Sequence, residues 1–290
     1  MWDELQGSAE RIRASVGPAV VAIGRRGRGC GVVVGPGQVV TNAHNLRADT
    51  TTVTFADGRR ETGTVQGADG DTDLAVIAVD TGDIAAPAWA DAETAVDRPV
   101  VAVSRSATGT VRLTWGTVSA VDRAFRGPRG RRISGSIEHT AALPRGSSGS
   151  AVVDPDGRLV GLSTHRLGEG FYLALPTDAD LRGRVDALGR GELPKRPHLG
   201  VGLAPAGAAS QLRRAVGLPD RDGVLVRVVE EGSPADRAGI RTGDLLVSIG
   251  GRALQTHDDV YDALDAHQTS ALAVQLVRGA EELEVSVTFD

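Results

Sequence analysis

The chain has 290 residues, of which 41% are hydrophobic and 24% charged, and its formal net charge is -5. This composition is typical of a soluble globular protein with one large or two smaller domains, and its acidity gives no general argument for nucleic-acid binding. The single cysteine, Cys30, excludes an intrachain disulfide. Because an apolar run follows it, we interpret Cys30 as a small buried hydrophobe and not as a reactive thiol.

The N-terminal segment is polar and lacks the apolar core of a signal peptide. A short helix is predicted over residues 8–16, since Ala9, Ile12 and Val16 stand near helical spacing. The longest apolar runs are too short to span a bilayer. As written, the sequence predicts a cytoplasmic protein. If a preceding segment has been trimmed, we expect an extracytoplasmic or membrane-anchored protein instead.

From Ala19 onward, short β-branched runs alternate with turn residues. Pro-Gly and Asp-Gly pairs separate them, as is usual between short strands. Many short strands at such intervals favour a β-barrel or sandwich, and the 38 glycines suit turn-rich all-β architecture. The clearest predicted strands lie at 19–23, 31–34, 53–55, 74–79, 100–103 and 159–162.

Residues 178–189 predict a helix that ends the first domain. Two prolines in 191–197 enforce extension, so this segment is interpreted as a linker. Beyond it, two helices are predicted, at 233–239 with Ser233 as N-cap and at 257–267. The sequence therefore predicts a first domain over 1–190, a linker over 191–197 and a second domain over 198–290.

The segment 123–132 contains five arginines. We interpret it as a solvated mobile loop and not as a nucleic-acid patch, because Phe125 is its only aromatic residue that could stack on a base. We therefore expect no nucleic-acid partner.

A predicted strand ending at Thr41 runs into a turn that presents His44. Such a histidine is at least as often structural, but one with a near-normal pKa can accept a proton and return it. Asp71 and Asp73 precede the strand that begins at Leu74, and an aspartate there is usually a turn residue. One that accepts a hydrogen bond from His44 would fix its tautomer. Asp73 abuts the strand and is preferred, with Asp71 as the alternative.

The loop Pro144–Ser150 is rich in glycine and serine, and such a loop is often only a flexible turn. Its Gly-x-Ser-Gly frame favours Ser148 as a nucleophile over Ser147 and Ser150. The glycines let the backbone bend so that the N–H groups of Gly146 and Ser148 form an oxyanion hole. Taken together, the three motifs follow the order His, Asp, Ser, which is that of chymotrypsin-like enzymes.

These motifs resemble those of the HtrA (Deg) family. The runs at 39–44, 73–79 and 146–150 are similar to that family's Thr-Asn-Ala-His, Asp-Leu-Ala-Val and Gly-Asn-Ser-Gly-Gly motifs, and the match extends to 141–144, 156–161 and 170–176. The resemblance implies a mostly β fold, a chymotrypsin-like double β-barrel followed by a small α+β PDZ domain. It also implies a catalytic triad of Ser148 as nucleophile, His44 as general base and acid, and Asp73 as orienting carboxylate. The oxyanion-hole amides implied are those of Gly146 and Ser148, with Ser147 adjoining them.

Two residues depart from the family pattern. Ser147 replaces the usual Asn, and Ser150 replaces the usual second Gly, so that its side chain could narrow the site or restrict the loop. Specificity is expected from a pocket wall of Ala142, Leu143, Thr164, His165 and Arg166. Because Ala142 stands where trypsin-like enzymes carry a carboxylate, a small or medium apolar side chain is expected before the scissile bond.

The second domain resembles a PDZ domain of the HtrA type through the runs at 198–201, 223–226, 232–240 and 241–251. In that arrangement a peptide adds as a strand beside 201–203, with its C-terminal carboxylate on the backbone amides around Leu199–Val201. The groove residues implied are His198, Leu199, Gly200, Val201, Leu203, Val260 and Leu264. The alternative is a domain that packs against the protease and only regulates it.

The resemblance therefore implies an ATP-independent serine endopeptidase that acts on misfolded or flexible polypeptides in protein quality control. It also implies a homotrimer, peptide C-termini as ligands of the PDZ groove, and no metal or cofactor. The alternative function is that of a catalytically weak or inactive scaffold that binds peptides as a chaperone.

Overall fold

The computed structural model describes residues 2–90, 94–128, 130–168, 170–193, 197–205, 208–266 and 271–289. The chain divides into two compact units, Met1–Pro194 and Lys195–Asp290. The division falls inside the segment 191–197 that the prolines mark as a linker.

The first unit contains two closed barrels of six antiparallel strands. In the first barrel the spatial order is β1-β2-β3-β6-β5-β4. Closure leaves no free strand edge, and β-branched residues together with Phe55 fill the interior. Its strands are Val20–Ile23 (β1), Gly29–Gly35 (β2), Gln38–Thr41 (β3), Thr50–Thr54 (β4), Arg60–Asp69 (β5) and Leu74–Ala78 (β6).

The second barrel has the order β10-β11-β12-β9-β8-β7. The predicted double β-barrel is therefore confirmed. Its strands are Pro99–Arg105 (β7), Val111–Arg126 (β8), Arg132–His139 (β9), Ala151–Val153 (β10), Leu159–Arg166 (β11) and Tyr172–Pro176 (β12).

The arginine-rich segment 123–132 is the end of the β8–β9 hairpin. Its prediction as a solvated loop holds for the exposed Arg123, Arg126 and Arg132, but it was wrong for Arg131 and for the residues that belong to the two strands. Arg131 is only 8% exposed and lies 3.8 Å from a carboxylate oxygen of Asp71. Phe125 is buried, and its ring stacks on His165 with 5.7 Å between centroids. A run of arginines is typical of a solvated surface, but strand pairing here brings the segment against acidic and aromatic partners that lie far away in sequence.

Two helices pack on the barrels, α1 (Trp2–Ser15) and α2 (Ala179–Gly189), and short 3-10 turns lie at Gly17–Ala19 and Ala43–Asn45. Helix α1 begins six residues before its predicted start. The Asp178 side chain caps α2 by accepting a 2.7 Å hydrogen bond from the Leu181 N–H. One hydrophobic cluster includes Ile12, Leu188 and residues of both barrels, so a shared core joins the barrels and helices.

Arg105 is a buried cation at the end of β7, 5% exposed. Its guanidinium donates to the carbonyl oxygens of Val20 at 2.5 Å, Gly17 at 2.6 Å and Gly109 at 2.6 Å. Three charge-assisted hydrogen bonds to backbone carbonyls thus satisfy this side chain and connect β7 to the start of the first barrel.

The second unit is a sheet in the order β13-β14-β15-β17-β18, with β16 paired to β15. Ser233 caps α4 as predicted, and Thr256, which was not predicted as a cap, caps α5. The predicted end of α5 at His267 lies outside the described residues. Helix α3 was not predicted. The elements are Val201–Leu203 (β13), Ala208–Ala215 (α3), Val224–Val229 (β14), Pro234–Arg237 (α4), Leu245–Ile249 (β15), Arg252–Ala253 (β16), His257–Asp265 (α5), Ala271–Arg278 (β17) and Glu281–Thr288 (β18).

His139, the last residue of β9, should make the first unit sensitive to acid. It is fully buried and stacks on Tyr172, and neither ring nitrogen has a hydrogen-bond partner among the described residues. Burial lowers its pKa from 6.5 to about 4, because the imidazolium loses its hydration. Between these values the unfolded chain binds the extra proton, so the free energy of unfolding should fall by roughly 3 kcal/mol as pH drops from about 6.5 to 4.

Urea unfolding at several pH values tests this dependence. Tryptophan fluorescence reports the first unit alone, since Trp2, Trp89 and Trp115 all lie there. His139→Leu should remove most of the fall in the free energy of unfolding between about pH 6.5 and 4. His165→Leu, which alters an exposed histidine, should leave that fall unchanged. Equal slopes in wild type and His139→Leu would contradict the assignment.

Candidate active site

His44 and Asp73 are in direct contact at the mouth of the first barrel. The His44 Nδ1 atom lies 2.9 Å from Oδ1 and 2.8 Å from Oδ2 of Asp73, and the His44 backbone N–H donates to Oδ1 at 3.1 Å. A carboxylate only accepts hydrogen bonds, so Nδ1 carries the proton. The neutral ring therefore keeps Nε2 unprotonated, on a side chain that is 35% exposed, and Nε2 can act as a base.

Asp73 is held from several sides and is 1% exposed. Its Oδ2 accepts a 2.7 Å hydrogen bond from the hydroxyl of Thr164, which lies on β11 of the second barrel. Its carbonyl oxygen accepts from the Asn42 side chain at 3.1 Å, and its φ of 56° is in the left-handed region that Asp tolerates better than most residues. Hydrogen bonds thus fix the carboxylate that orients His44.

Asp71, the alternative, lies elsewhere. Its carboxylate lies 3.8 Å from the Arg131 guanidinium, and its backbone N–H donates to Asp69. The turn 69–73 therefore directs Asp73, and not Asp71, toward the histidine.

Ser148 lies in the loop that precedes β10. Its hydroxyl donates to the carbonyl oxygen of Thr164 at 3.0 Å, and among the described hydrogen bonds none joins it to His44. Thr164 therefore contacts two members of the predicted triad, one through its hydroxyl and one through its carbonyl. Rotation of the Ser148 side chain away from Thr164 is required before His44 can take its proton.

The first barrel holds the backbone of Ser148. Its carbonyl oxygen accepts from the Cys30 N–H at 2.7 Å and from the Asn45 side-chain amide at 2.9 Å. Gly149 has a φ of +87°, and a Cβ there would lie 2.0 Å from the Cys30 carbonyl oxygen, so only glycine fits. Sequence reasoning missed these contacts because Cys30 and Asn45 are over 100 residues away from the loop.

The predicted oxyanion-hole amides are free to bind a ligand. Within the described part of the chain, the backbone N–H groups of Gly146 and Ser148 donate to no acceptor. Gly146 has a φ of +79°, a conformation that glycine adopts without strain. Ser147 is buried next to them, and its carbonyl accepts from the Ser150 N–H at 3.0 Å.

Ser150 and Cys30 are both fully buried, and neither lines the cleft beside Ser148. The Cys30 thiol donates to the Arg105 carbonyl at 3.3 Å, and burial raises its pKa, which keeps it protonated. Ser150 therefore does not narrow the site.

A cleft of about 290 Å³ adjoins Ser148 and contains most of the predicted specificity residues. Leu143, Thr164, His165 and Arg166 line it, together with Tyr172, which sequence reasoning missed. The inclusion of Ala142 was wrong, because its side chain is exposed outside the cleft and its carbonyl accepts from Thr114. No described lining residue carries a carboxylate, which disfavours a Lys or Arg side chain in the cleft.

The predicted PDZ groove residues come together beside β13. This strand pairs with β14, and the described strands leave its other edge free. Leu199, Val260 and Leu264 are buried in one cluster, and Val201 and Leu203 pack partly against it.

The loop before β13 has donors for a carboxylate. The backbone N–H groups of Leu199 and Gly200 have no acceptor in the described structure, whereas His198 is simply exposed. Gly200 has a φ of +77°, and a Cβ there would lie 2.2 Å from that of Ser233. The geometry therefore matches an extended peptide that adds to β13.

Thr164→Val should lower kcat by about 10- to 100-fold. The substitution keeps the shape of the side chain but removes its hydrogen bond to the buried Asp73 carboxylate, a contact of a type that contributes about 1.5–3 kcal/mol. Thr164→Ser should restore most of the activity, because the hydroxyl returns. Equal kcat values for the Val and Ser variants would show that Thr164 does not act through Asp73.

Comparison with known proteins agrees with this geometry. Residues 29–162 match the trypsin-like peptidase domain family, and residues 225–287 match the PDZ domain family. HhoA of Synechocystis sp. is 30% identical over 90% of this chain and 70% of its own length. Protease Do-like 1 from the chloroplast of Arabidopsis thaliana is 30% identical over 88% of this chain and 61% of its own length.

Solved structures show the same fold. The HtrA-type protease AlgW, solved with a decapeptide, superposes with a TM-score of 0.71 at 21% identity and covers 96% of this chain and 97% of its own. A serine endoprotease from Yersinia pestis gives 0.68 at 24% identity, with 96% of each chain covered. The chain spans about two thirds of the length of the curated relatives it matches, 61% of the Arabidopsis protein and 70% of HhoA. From its sequence identity to these relatives and its two matched domains, the chain belongs to the HtrA/Do family of serine proteases that carry a PDZ domain.

Proposed function

We propose that this protein is an ATP-independent serine endopeptidase that hydrolyses peptide bonds in misfolded or unstructured polypeptides. The single observation that carries the proposal is the contact between His44 and the buried Asp73 carboxylate, with the Ser148 hydroxyl on the carbonyl of Thr164, the residue that also bonds that carboxylate. This arrangement can generate a nucleophile at neutral pH. The scaffold alternative is not favoured, because Ser150 lies outside the cleft.

In the proposed reaction, the Ser148 oxygen attacks the substrate carbonyl while its proton passes to Nε2 of His44. The N–H groups of Gly146 and Ser148 then hydrogen-bond the oxyanion. His44 returns the proton to the leaving amine, and water, deprotonated by the same nitrogen, hydrolyses the acyl-enzyme. Asp73 remains ionised throughout and stabilises the imidazolium.

The cleft volume and lining support a preference for a small or medium apolar side chain before the scissile bond. Tyr172 is buried, and the Arg166 guanidinium lies 5.4 Å from the centre of its ring. Together these two side chains form a wall that limits the size of the side chain bound there.

A fluorophosphonate probe tests the nucleophile directly. Wild type should be labelled and should cleave unfolded casein, whereas Ser148→Ala should do neither. Ser147→Ala is the matched control and should still be labelled. Labelling that survives in Ser148→Ala but is lost in Ser147→Ala would reject our choice of nucleophile, and no labelling at all would reject the protease function.

For the PDZ unit we propose binding of apolar C-terminal or extended segments along β13. Calorimetric titration of the full chain carrying Ser148→Ala should detect a peptide with an apolar, free C-terminus. Amidation of that C-terminus should weaken binding, because the Leu199 and Gly200 amides lose their anionic acceptor. Equal affinity for both peptides would reject recognition of the carboxylate.

We further propose a homotrimer, as the family resemblance implies, with the 77% exposed Trp2 of α1 in the contact between copies. Light scattering that gives a monomer mass would contradict it.

A cytoplasmic location is likewise a proposal from residues 1–290, tested by fractionation of tagged protein. Among the described helices, none is both long and apolar enough to cross a bilayer.

A further inference from the structure

Four arginines converge on one open cleft of about 590 Å³ in the first barrel. All four are exposed, and none forms an ion pair or a side-chain hydrogen bond with another described residue. Hydroxyls of β4 also line the cleft, and no described lining residue is acidic. In a chain of net charge -5, this is a local concentration of unpaired positive charge and hydrogen-bond donors. The arginines are Arg25, Arg26, Arg28 and Arg47.

The barrel fold creates the cluster from two separate segments. Strand β1 pairs with β4, and the Gly24 N–H donates to the Thr52 carbonyl at 2.8 Å, which sets the β1–β2 turn against β4. Arg47 joins from the loop that follows His44. The sequence spacing alone therefore does not reveal the cleft.

The cleft adjoins the catalytic loop. Asn45 lines it and donates its side-chain amide to the Ser148 carbonyl at 2.9 Å. The Gly27 carbonyl oxygen, in the same turn as the arginines, lies 2.9 Å from where a Cβ on Gly146 would be. A bound polypeptide at Ser148 thus reaches the arginines within a few residues.

The position of the arginine cleft relative to the specificity cleft indicates which side of the scissile bond it faces. All residues of the specificity cleft come from the second barrel, and all residues of the arginine cleft come from the first. The side chain before the scissile bond enters the former, so the chain after that bond continues past Ser148 toward the latter. We propose that the arginine cleft binds acidic side chains of the substrate segment that follows the scissile bond, an inference that rests on the proposed protease function.

Fluorogenic peptides that differ only after the scissile bond test this preference. Peptides with Asp or Glu at the second and third following positions should be cleaved with a kcat/KM about tenfold higher than Ala peptides at low ionic strength, and Lys peptides should be poorest. The advantage should shrink in 0.5 M salt, because exposed charges are screened. The triple variant Arg25→Gln/Arg26→Gln/Arg28→Gln should cleave acidic and Ala peptides equally well.

Arg158→Gln is the matched control, since Arg158 is an exposed arginine on a turn beside α1 and should keep the tenfold ratio. A wild-type ratio near one, with a peptide p-nitroanilide still hydrolysed, would overturn the inference and leave the protease function intact.

A binding measurement keeps the two proposals separate. Fluorescence anisotropy of a labelled acidic peptide with the Ser148→Ala protein requires no catalysis. About tenfold tighter binding than that of the Ala peptide, lost in the triple-arginine background, supports the cleft even if wild type cleaves nothing. Equal binding of the acidic and Ala peptides would overturn the inference. Binding of inorganic polyphosphate that unlabelled acidic peptide does not displace would also overturn it.

Discussion

Asp73→Asn should lower kcat by about ten-thousand-fold while leaving the protein folded. The two carboxylate oxygens accept from three donors, the His44 ring, the His44 backbone and the Thr164 hydroxyl. An amide has one acceptor oxygen, so its NH2 group must face at least one of these donors. If it faces Nδ1, the ring changes tautomer, and a protonated Nε2 cannot accept the proton of Ser148.

The matched control is Asp71→Asn, the same chemical change two residues earlier, which should retain activity within a few-fold. Steady-state cleavage of a fluorogenic peptide gives kcat, and circular dichroism confirms folding. Similar losses in the two variants would mean that the His44–Asp73 contact is not the one that matters.

Arg105→Leu should reduce the free energy of unfolding of the first unit by roughly 3–5 kcal/mol. The change removes three hydrogen bonds at once, those to the carbonyls of Gly17, Val20 and Gly109. The Gly17 carbonyl then keeps only the hydrogen bond from the Val20 N–H. Arg105→Lys should lose less stability than Arg105→Leu, because its ammonium keeps the positive charge. Some loss should remain, since an ammonium cannot bond all three carbonyls at once.

Urea unfolding followed by tryptophan fluorescence measures both variants. The control is Arg112→Leu on β8, an exposed arginine whose loss should change stability by less than about 0.5 kcal/mol. If Arg105→Leu fails to fold, the lysine variant still provides a midpoint. An Arg105 variant as stable as the Arg112 variant would refute the role of these hydrogen bonds.

The residues of the triad could be chosen from sequence because their motifs are local. His44 follows a strand, Asp73 precedes one, and Ser148 sits in a glycine-framed loop, so each is recognisable within a few residues. Helix caps at Asp178, Ser233 and Thr256 are local for the same reason.

The remaining features depend on contacts between distant segments. Thr164 was placed in the specificity wall, but its hydroxyl also holds Asp73, a role that only the approach of β11 to the first barrel reveals. Tyr172 enters the cleft wall through the pairing of β12 with β11. Arg131 lies in the turn just before β9 and is buried near Asp71, where composition alone predicts exposure.

The hydrogen bonds from Cys30 and Asn45 to the Ser148 carbonyl have a consequence for biosynthesis. Translation delivers the base and its carboxylate with the first barrel, before the nucleophile has been made. Because Cys30 and Asn45 also hold the backbone of that nucleophile, a nascent chain that ends before Ser148 contains no complete triad. The catalytic centre is thus complete only when the second barrel has been made and its Ser148 loop has joined the first barrel.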